Sequence, residues 1–136
     1  MKELILYYSF GGSTRKYAEE RAEKDGADLR EIKEISKRNG FTVWIPGVFQ
    51  AARKSKTAIE PIDDLENYDK IILAGPVWAG GAVPAINSAA AVLPKDSKVE
   101  LVLLSGSGKD YGKDLAEAVK ANGCEVTSVV NIKTGK

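Results

Sequence analysis

Apolar residues gather in short unbroken runs along this chain. Leu4-Ile5-Leu6-Tyr7-Tyr8 is the first. A run of strand formers without polar alternation predicts a strand buried on both faces. Lys70-Ile71-Ile72-Leu73-Ala74, ended by Gly75-Pro76, reads the same way, as does Val99 to Leu104. Glu125 to Ile132 predicts a last strand. Helical patterns lie between them. Arg15 to Asp25 is charged, with Tyr17, Ala18 and Ala22 on one stripe and Gly26 placed as a C-terminal cap. A second helix starts at about Val83, with Pro84 in its first turn and Pro94 as its end. A third spans Tyr111 to Asn122, with Leu115, Ala118 and Val119 inward and Gly123 as its cap. Ala27 to Ile35 is ambiguous. Leu29, Ile32 and Ile35 recur every three residues, which favours helix; the strand–helix alternation and the short spacing favour a polar edge strand, the reading taken. From Ser36 to Ile59 the pattern is poor, with an aromatic stretch from Trp44 to Phe49 and a helix-like run from Gln50 to Lys56. Asp63 to Asp69 reads as an acidic surface stretch.

Strands that alternate with helices, and that lack polar alternation, predict a parallel sheet covered on both faces in one domain spanning residues 1–136. In open sheets of this kind ligands bind beyond the carboxyl ends of the strands. Three loops rich in Gly, Ser or Trp each follow a strand: Ser9 to Thr14, Val77 to Gly81 and Ser105 to Gly108. They are distant in sequence, yet this architecture sets them on one rim.

Composition changes the picture at one point. The 136 residues carry 20 Lys+Arg, 19 Asp+Glu, no histidine and one cysteine. Without histidine there is no Ser-His-Asp triad, no Cys-His dyad and no imidazole metal ligand. The lone Cys124 excludes an intramolecular disulfide, a CxxC redox pair and a four-cysteine metal site. A carboxylate-only Mg²⁺ or Ca²⁺ site stays open. Acid–base chemistry by the chain's own groups is poorly supplied, so an organic cofactor is the better source of reactivity. The near-neutral charge gives no nucleic-acid footprint. The start has too short an apolar run for a signal peptide, and no stretch reaches the roughly 18 apolar residues of a spanning helix. A cytoplasmic protein with no membrane partner is the expectation.

The first loop, Ser9-Phe10-Gly11-Gly12-Ser13-Thr14, suits a terminal phosphate. Small residues let backbone N–H groups approach an anion, hydroxyls on Ser9, Ser13 and Thr14 donate, and the next helix offers its positive end. The alternative is a turn that needs two glycines and a helix cap. It is not a Walker A loop, since Gly108-Lys109 is followed by Asp110, and no GxGxxG occurs. Tyr8 to Arg15 resembles the phosphate loop of the flavodoxin family, Ser/Thr-x-Thr-Gly-Asn-Thr. Ser9, Gly12 and Thr14 match; Gly11 stands for the usual threonine and Ser13 for the usual asparagine, so one hydroxyl donor is missing. Pro76-Val77-Trp78-Ala79-Gly80-Gly81 resembles the family's Pro-x-Trp-x-Gly loop beside the flavin ring. Trp78 offers the largest aromatic wall in the loop, unless it is a hydrophobic lid over the strand ends. Gly80 and Gly81 let backbone amides reach ring heteroatoms. Ser105-Gly106-Ser107-Gly108 resembles the third flavin loop, with Tyr111 either covering the other ring face or opening the next helix as a core residue.

The resemblance spans Met1 to about Ile132. It implies an α/β flavodoxin-like open sheet of five parallel strands in order 2-1-3-4-5, helices on both faces, FMN at the rim, and electron or hydride transfer. The redox partner implied is another protein or NAD(P)H, which leaves open a carrier or a small NAD(P)H-dependent quinone or flavin reductase. The chain departs from the family in two ways. No helix follows the last strand, since Thr134-Gly135-Lys136 cannot form one. The face around the third and fourth central strands is then expected to be partly bare, to be covered by a second copy, by Phe41–Phe49 or by a helix beyond this sequence. And the chain is not acidic; from Ile35 to Ile59 it carries Lys37, Arg38, Arg53, Lys54 and Lys56 and no acidic residue, a solvated face or a basic lip for an acidic protein or a nucleotide phosphate. A receiver domain of the same fold is excluded, because Tyr8, Ser9, Gly75 and Pro76 stand where its acidic residues belong. The remaining rival is a flavin-free module of this fold used for binding or assembly. Cys124, before the last strand, reads as structural.

Overall fold

A computed structural model describes residues 2–9, 12–33, 62, 64–78, 81–82, 84–106, 109 and 112–134. The elements are β1 (Glu3–Tyr7), α1 (Ser13–Asp25), β2 (Asp28–Glu31), a short 3-10 turn (Leu65–Asn67), β3 (Lys70–Trp78), β4 (Gly81–Ala82), α2 (Pro84–Ala91), β5 (Lys98–Ser105), α3 (Lys113–Ala121) and β6 (Glu125–Lys133). Five parallel strands lie in the order β2-β1-β3-β5-β6, and the small β4 pairs antiparallel with β3. Counting the parallel strands alone, this is the expected 2-1-3-4-5.

The continuous apolar runs form the centre because both their faces are covered. Leu4, Leu6, Ile71, Leu73, Val99, Leu101 and Leu103 face α2 and α3, in a core completed by Ile86, Leu115 and Val119. Ile5, Tyr7, Ile72, Ala74, Val102 and Leu104 face the other way, toward Ala18 of α1. The ambiguous stretch after α1 is an edge strand, four residues long. Gly26 ends α1 in a left-handed conformation (φ 71°) and donates its N–H to the Ala22 carbonyl at 2.8 Å, the conformation glycine adopts without a Cβ penalty.

Three expectations need correction. Gly75-Pro76 does not end β3; the strand continues to Trp78, with Gly75 and Pro76 in register with Leu103 and Leu104. Gly75 is there for close packing rather than a turn, since a Cβ on it would collide with Ile86 of α2. Ala118 is exposed, and Ala116 packs inward in its place, because the buried stripe of α3 follows Leu115 and Val119. Nor is the α1 face bare over the central strands. Ile72, Ala74 and Val102 are fully buried there and Leu104 nearly so. At the far end of the same face Glu100 takes an apolar residue's place. Arg21 reaches across from α1 and closes over it with a two-pronged ion pair, Nη1 to Oε2 at 2.6 Å and Nη2 to Oε1 at 2.9 Å, and Lys70 adds a third contact at 3.0 Å. On this face the exposure falls on β6, at Ser128 and partly at Val130 and Ile132. The segment from Ser36 to Ile59, with its basic residues and Phe41–Phe49, lies outside the described residues.

Candidate functional site: the carboxyl rim of the sheet

The chain leaves β1 toward β2 on one side, and later leaves β3 toward β5 on the other. The reversal falls between β1 and β3, which are direct neighbours. This is the switch point at which open α/β sheets leave a crevice. The three loops singled out in the sequence follow β1, β3 and β5, three consecutive strands, so all three emerge at this rim.

The first loop is built around the start of α1. The Tyr8 N–H donates to the Ala74 carbonyl at 3.0 Å, which ties the loop's entry to β3. Gly12 precedes the helix at φ 98°, in the left-handed region that favours glycine. A Cβ there would meet nothing within 4 Å, so the space above Gly12 is open. The Lys16 N–H closes the first helical bond on the Gly12 carbonyl at 3.0 Å, and the Arg15 N–H donates to Ser9 Oγ at 3.3 Å. Ser9 thus takes one of the helix's spare amides, while its own O–H stays available as a donor. Thr14 is 2 % exposed at the start of α1. The open space, the hydroxyl and the helix start together fit a phosphate group. Phe10 and Gly11 lie outside the described residues.

Beside this loop, Arg15 lies over the Tyr7 ring at 5.8 Å and pairs with Glu31 Oε2 of β2 at 3.0 Å. Burial, with the Glu31 charge, pushes the Tyr7 phenol above its ordinary value, so it stays protonated. The second stretch differs from expectation. Val77 pairs with Ala82 and Trp78 with Gly81, so Pro76 to Gly81 is no open loop but a narrow hairpin standing on the end of β3. The backbones of Trp78 and Gly81 are therefore at the rim; Ala79 and Gly80 lie outside the described residues. In the third stretch Ser105 is the last residue of β5, and Gly106 is exposed beyond it, with open space at its Cβ position. Ser107, Gly108 and Tyr111 lie outside the described residues. The end of β6 contributes a tie the sequence did not show. Thr134 donates its N–H to the Ser105 carbonyl at 2.7 Å and its hydroxyl to the same oxygen at 3.2 Å, which fixes the exit of β5.

Among the described residues no group of three Cys, Asp or Glu is placed to hold a metal ion, and no helix is long and apolar enough to cross a membrane. Cys124 is at the opposite end of the sheet, buried, its Sγ–H on the Pro94 carbonyl at 3.2 Å; burial pushes its thiol up, away from the reactive thiolate. A cavity of about 410 Å³ runs along α1 past Tyr17, Arg21 and Asp25, and one of about 270 Å³ lies between α2 and α3. Their described linings are outside the three loops.

No family model and no curated protein matches the chain. Solved structures do. A flavoprotein from Lactobacillus acidophilus, crystallised in complex with FMN, is 26 % identical, with 94 % of this chain and 91 % of that one covered and a TM-score of 0.68. Oxidised Flavodoxin 2 from Bacillus cereus is 17 % identical, covering 99 % and 86 %, at 0.61. A flavodoxin from Streptococcus pneumonia is 14 % identical, covering 100 % and 87 %, at 0.60. The fold of this chain is flavodoxin-like.

Proposed function

We propose that the protein binds FMN noncovalently at the carboxyl rim and works in electron transfer. The observation that carries the reading is the open space over Gly12 at the start of α1, at the switch point of the sheet. A phosphate placed there would accept from Thr14, Ser13 and Ser9 and from the first amides of α1, and would meet the helix's positive end. Phe10 and Gly11 would complete that loop. Pro76, Val77, Trp78, Ala79, Gly80 and Gly81 would flank one side of the ring, and Ser105, Gly106, Ser107, Gly108 and Tyr111 the other. The FMN-bound Lactobacillus acidophilus neighbour supports the choice of cofactor.

FMN, when bound, supplies the electron or hydride chemistry, and the chain holds and orients it. No acid–base residue is assigned a catalytic role, in keeping with the absence of histidine. In this reading the electrons pass to or from a redox protein or NAD(P)H in the cytoplasm. The test is a fluorescence titration with FMN and with riboflavin, which lacks the phosphate. FMN should be quenched stoichiometrically, and riboflavin should bind more weakly by an order of magnitude or more, the weight of about 1.5–3 kcal/mol for a charge-assisted hydrogen bond. Protein that quenches neither at saturation is a flavin-free module of the same fold. Equal affinity for both removes the phosphate from the first loop.

A further inference from the structure

We propose that the carboxyl rim is a docking surface for a redox protein that presents an acidic face. The charge of the chain is balanced in total but not in place. At the rim, between the end of each strand and the first turn of the helix after it, stand Arg15, Lys16, Lys33, Lys109, Lys113 and Lys133, all exposed. The acids there, among the described residues, are Glu31 and Asp114. Glu34 and Asp110, which adjoin the set in the sequence, would still leave cations in excess. At the opposite end of the sheet the balance reverses. Over residues 2–3, 22–28, 64–70, 88–98 and 118–125, nine acids stand against six cations. Asp64, Glu66 and Asp69 gather there on the connection into β3.

The cations flank the site rather than fill it. Lys33 follows β2, and the Ile32 N–H donates to the Tyr7 carbonyl at 2.7 Å, which holds that exit beside the end of β1. Arg15 and Lys16 lie in the first turn of α1. On the other side Lys109 and Lys113 follow β5, and Lys133 is in register with Ser105. Between the flanks the sequence carries no charge over Tyr8 to Thr14, Ala74 to Pro94 or Leu101 to Gly108. β2 and β6 are four strand spacings apart, about 19 Å. Glu31 pairs with Arg15, so the excess is carried by the lysines. An uncharged centre with charge at its margin is the arrangement of a protein interface. A nucleotide phosphate would ask for the cations in one cluster. Positive at one end and negative at the other, the molecule turns its rim toward an anionic partner during encounter. The electron exchange deepens the FMN reading and rests on it; the docking does not.

The probe is cytochrome c, basic in its native form and acidic once its lysines are succinylated, with the same haem in both. Sedimentation velocity of the full chain without FMN, read at the haem band, tests docking. The chain loaded with FMN and reduced by one equivalent of dithionite tests transfer. Each reduced flavin gives two electrons, one to each of two haem irons, Fe(III) to Fe(II), and releases its protons to water. At about 10 mM ionic strength the screening length is about 30 Å, so the whole rim acts together. There the succinylated form should bind, and should be reduced about tenfold faster or more than the native form. At about 1 M, where the screening length is about 3 Å, the difference should vanish. Lys33→Glu, Lys113→Glu and Lys133→Glu together should remove the preference, and Lys33→Gln, Lys113→Gln and Lys133→Gln should reduce it part of the way. Lys24→Glu, Lys95→Glu and Lys120→Glu at the other end make the same change in net charge and should keep it. A native form that binds or reacts as well at low salt overturns the proposal. So do glutamate triple variants at the two ends with the same effect, because total charge and not the rim then decides. A chain that takes up no FMN yet sediments with the succinylated form removes the FMN reading and supports the docking surface.

Discussion

Glu100 is the most consequential polar residue in the fold, and replacing its main partner tests why it is tolerated. Its side chain is 7 % exposed on the face of a central strand, and Arg21 closes over it. Arg21 is itself engaged on every side, donating Nε to Asp25 at 3.1 Å and Nη1 to the Tyr17 hydroxyl at 3.0 Å besides the two bonds to Glu100. The hydrogen bond from Arg21 holds the Glu100 carboxyl below its ordinary value of 4.5, against the upward push of burial; Lys70 helps. Arg21→Met keeps the stem's packing and removes the fork. Breaking a buried pair costs about 3–5 kcal/mol when the remaining charge has no other partner. Here Lys70 stays at 3.0 Å and Arg21 is 19 % exposed, so the loss should be nearer 2 kcal/mol. With an m-value of about 2 kcal/mol/M, the urea midpoint should fall by about 1 M.

Two companion measurements separate this account from simple loss of packing. Arg21→Met with Glu100→Leu should recover to within about 1 kcal/mol of wild type, because no buried carboxylate is left behind. The pH dependence follows from the sign of the shift. Glu100 is more acidic folded than unfolded, so its contribution is complete above the unfolded value. It is lost as pH falls through the folded value. Wild-type stability should therefore drop on acidification below about pH 4.5, and Arg21→Met should flatten that drop. A midpoint unchanged in Arg21→Met, or a double variant weaker than the single, would refute the reasoning.

Gly12→Val should abolish FMN binding, since it strains a φ of 98° and fills the proposed phosphate space; Gly26→Ala, at φ 71° beyond the other end of α1, should cost stability and leave binding intact. If Gly12→Val binds FMN tightly, the phosphate assignment is wrong. Trp78→Ala should weaken FMN about tenfold and shift its reduction potential, read by titration and potentiometry, and unchanged values would remove Trp78 as a ring wall. Gly75→Ala should cost about 1–3 kcal/mol in urea unfolding, because its Cβ would lie 2.6 Å from the Ile86 Cδ1 of a fully buried side chain. Adding Ile86→Ala should cost less than the sum of the two single changes.

The centre of the fold was legible because burial on both faces leaves an unmistakable sequence trace. Leu4 to Tyr7, Ile71 to Ala74 and Val99 to Leu104 admit few polar residues, and the loops after them inherit their position at the rim. What stayed hidden depends on residues far apart in the chain. Gly75 looks like a strand breaker until Ile86 of α2 is seen against it. Glu100 looks like an interruption in an apolar run; its partner is 79 positions away. The Ser105–Thr134 tie has no local signature. At the rim, sequence spacing found the loops but not their form, since whether Pro76 to Gly81 is a loop or a hairpin turns on backbone pairing between Trp78 and Gly81.

The two polar devices on the α1 side of the sheet should be energetically separate. Glu100 is five residues before Ser105 on an extended strand, so the ion cluster is about 16 Å from the rim. Substitutions that far apart, with no shared partner, add to within about 0.5 kcal/mol. Thr14→Val should weaken FMN binding roughly tenfold while leaving unfolding of the FMN-free protein within about 1 kcal/mol of wild type. Arg21→Met should do the reverse. FMN at a hundred times its dissociation constant stabilises a folded protein by about 2.7 kcal/mol. That increment should be the same in wild type and Arg21→Met, and should shrink by about 1.4 kcal/mol in Thr14→Val and in the double variant alike at the same FMN concentration. A smaller increment in Arg21→Met than in wild type would mean that the far end of α1 reaches its N-terminus energetically, and that the helix carries strain from the ion cluster to the cofactor rim.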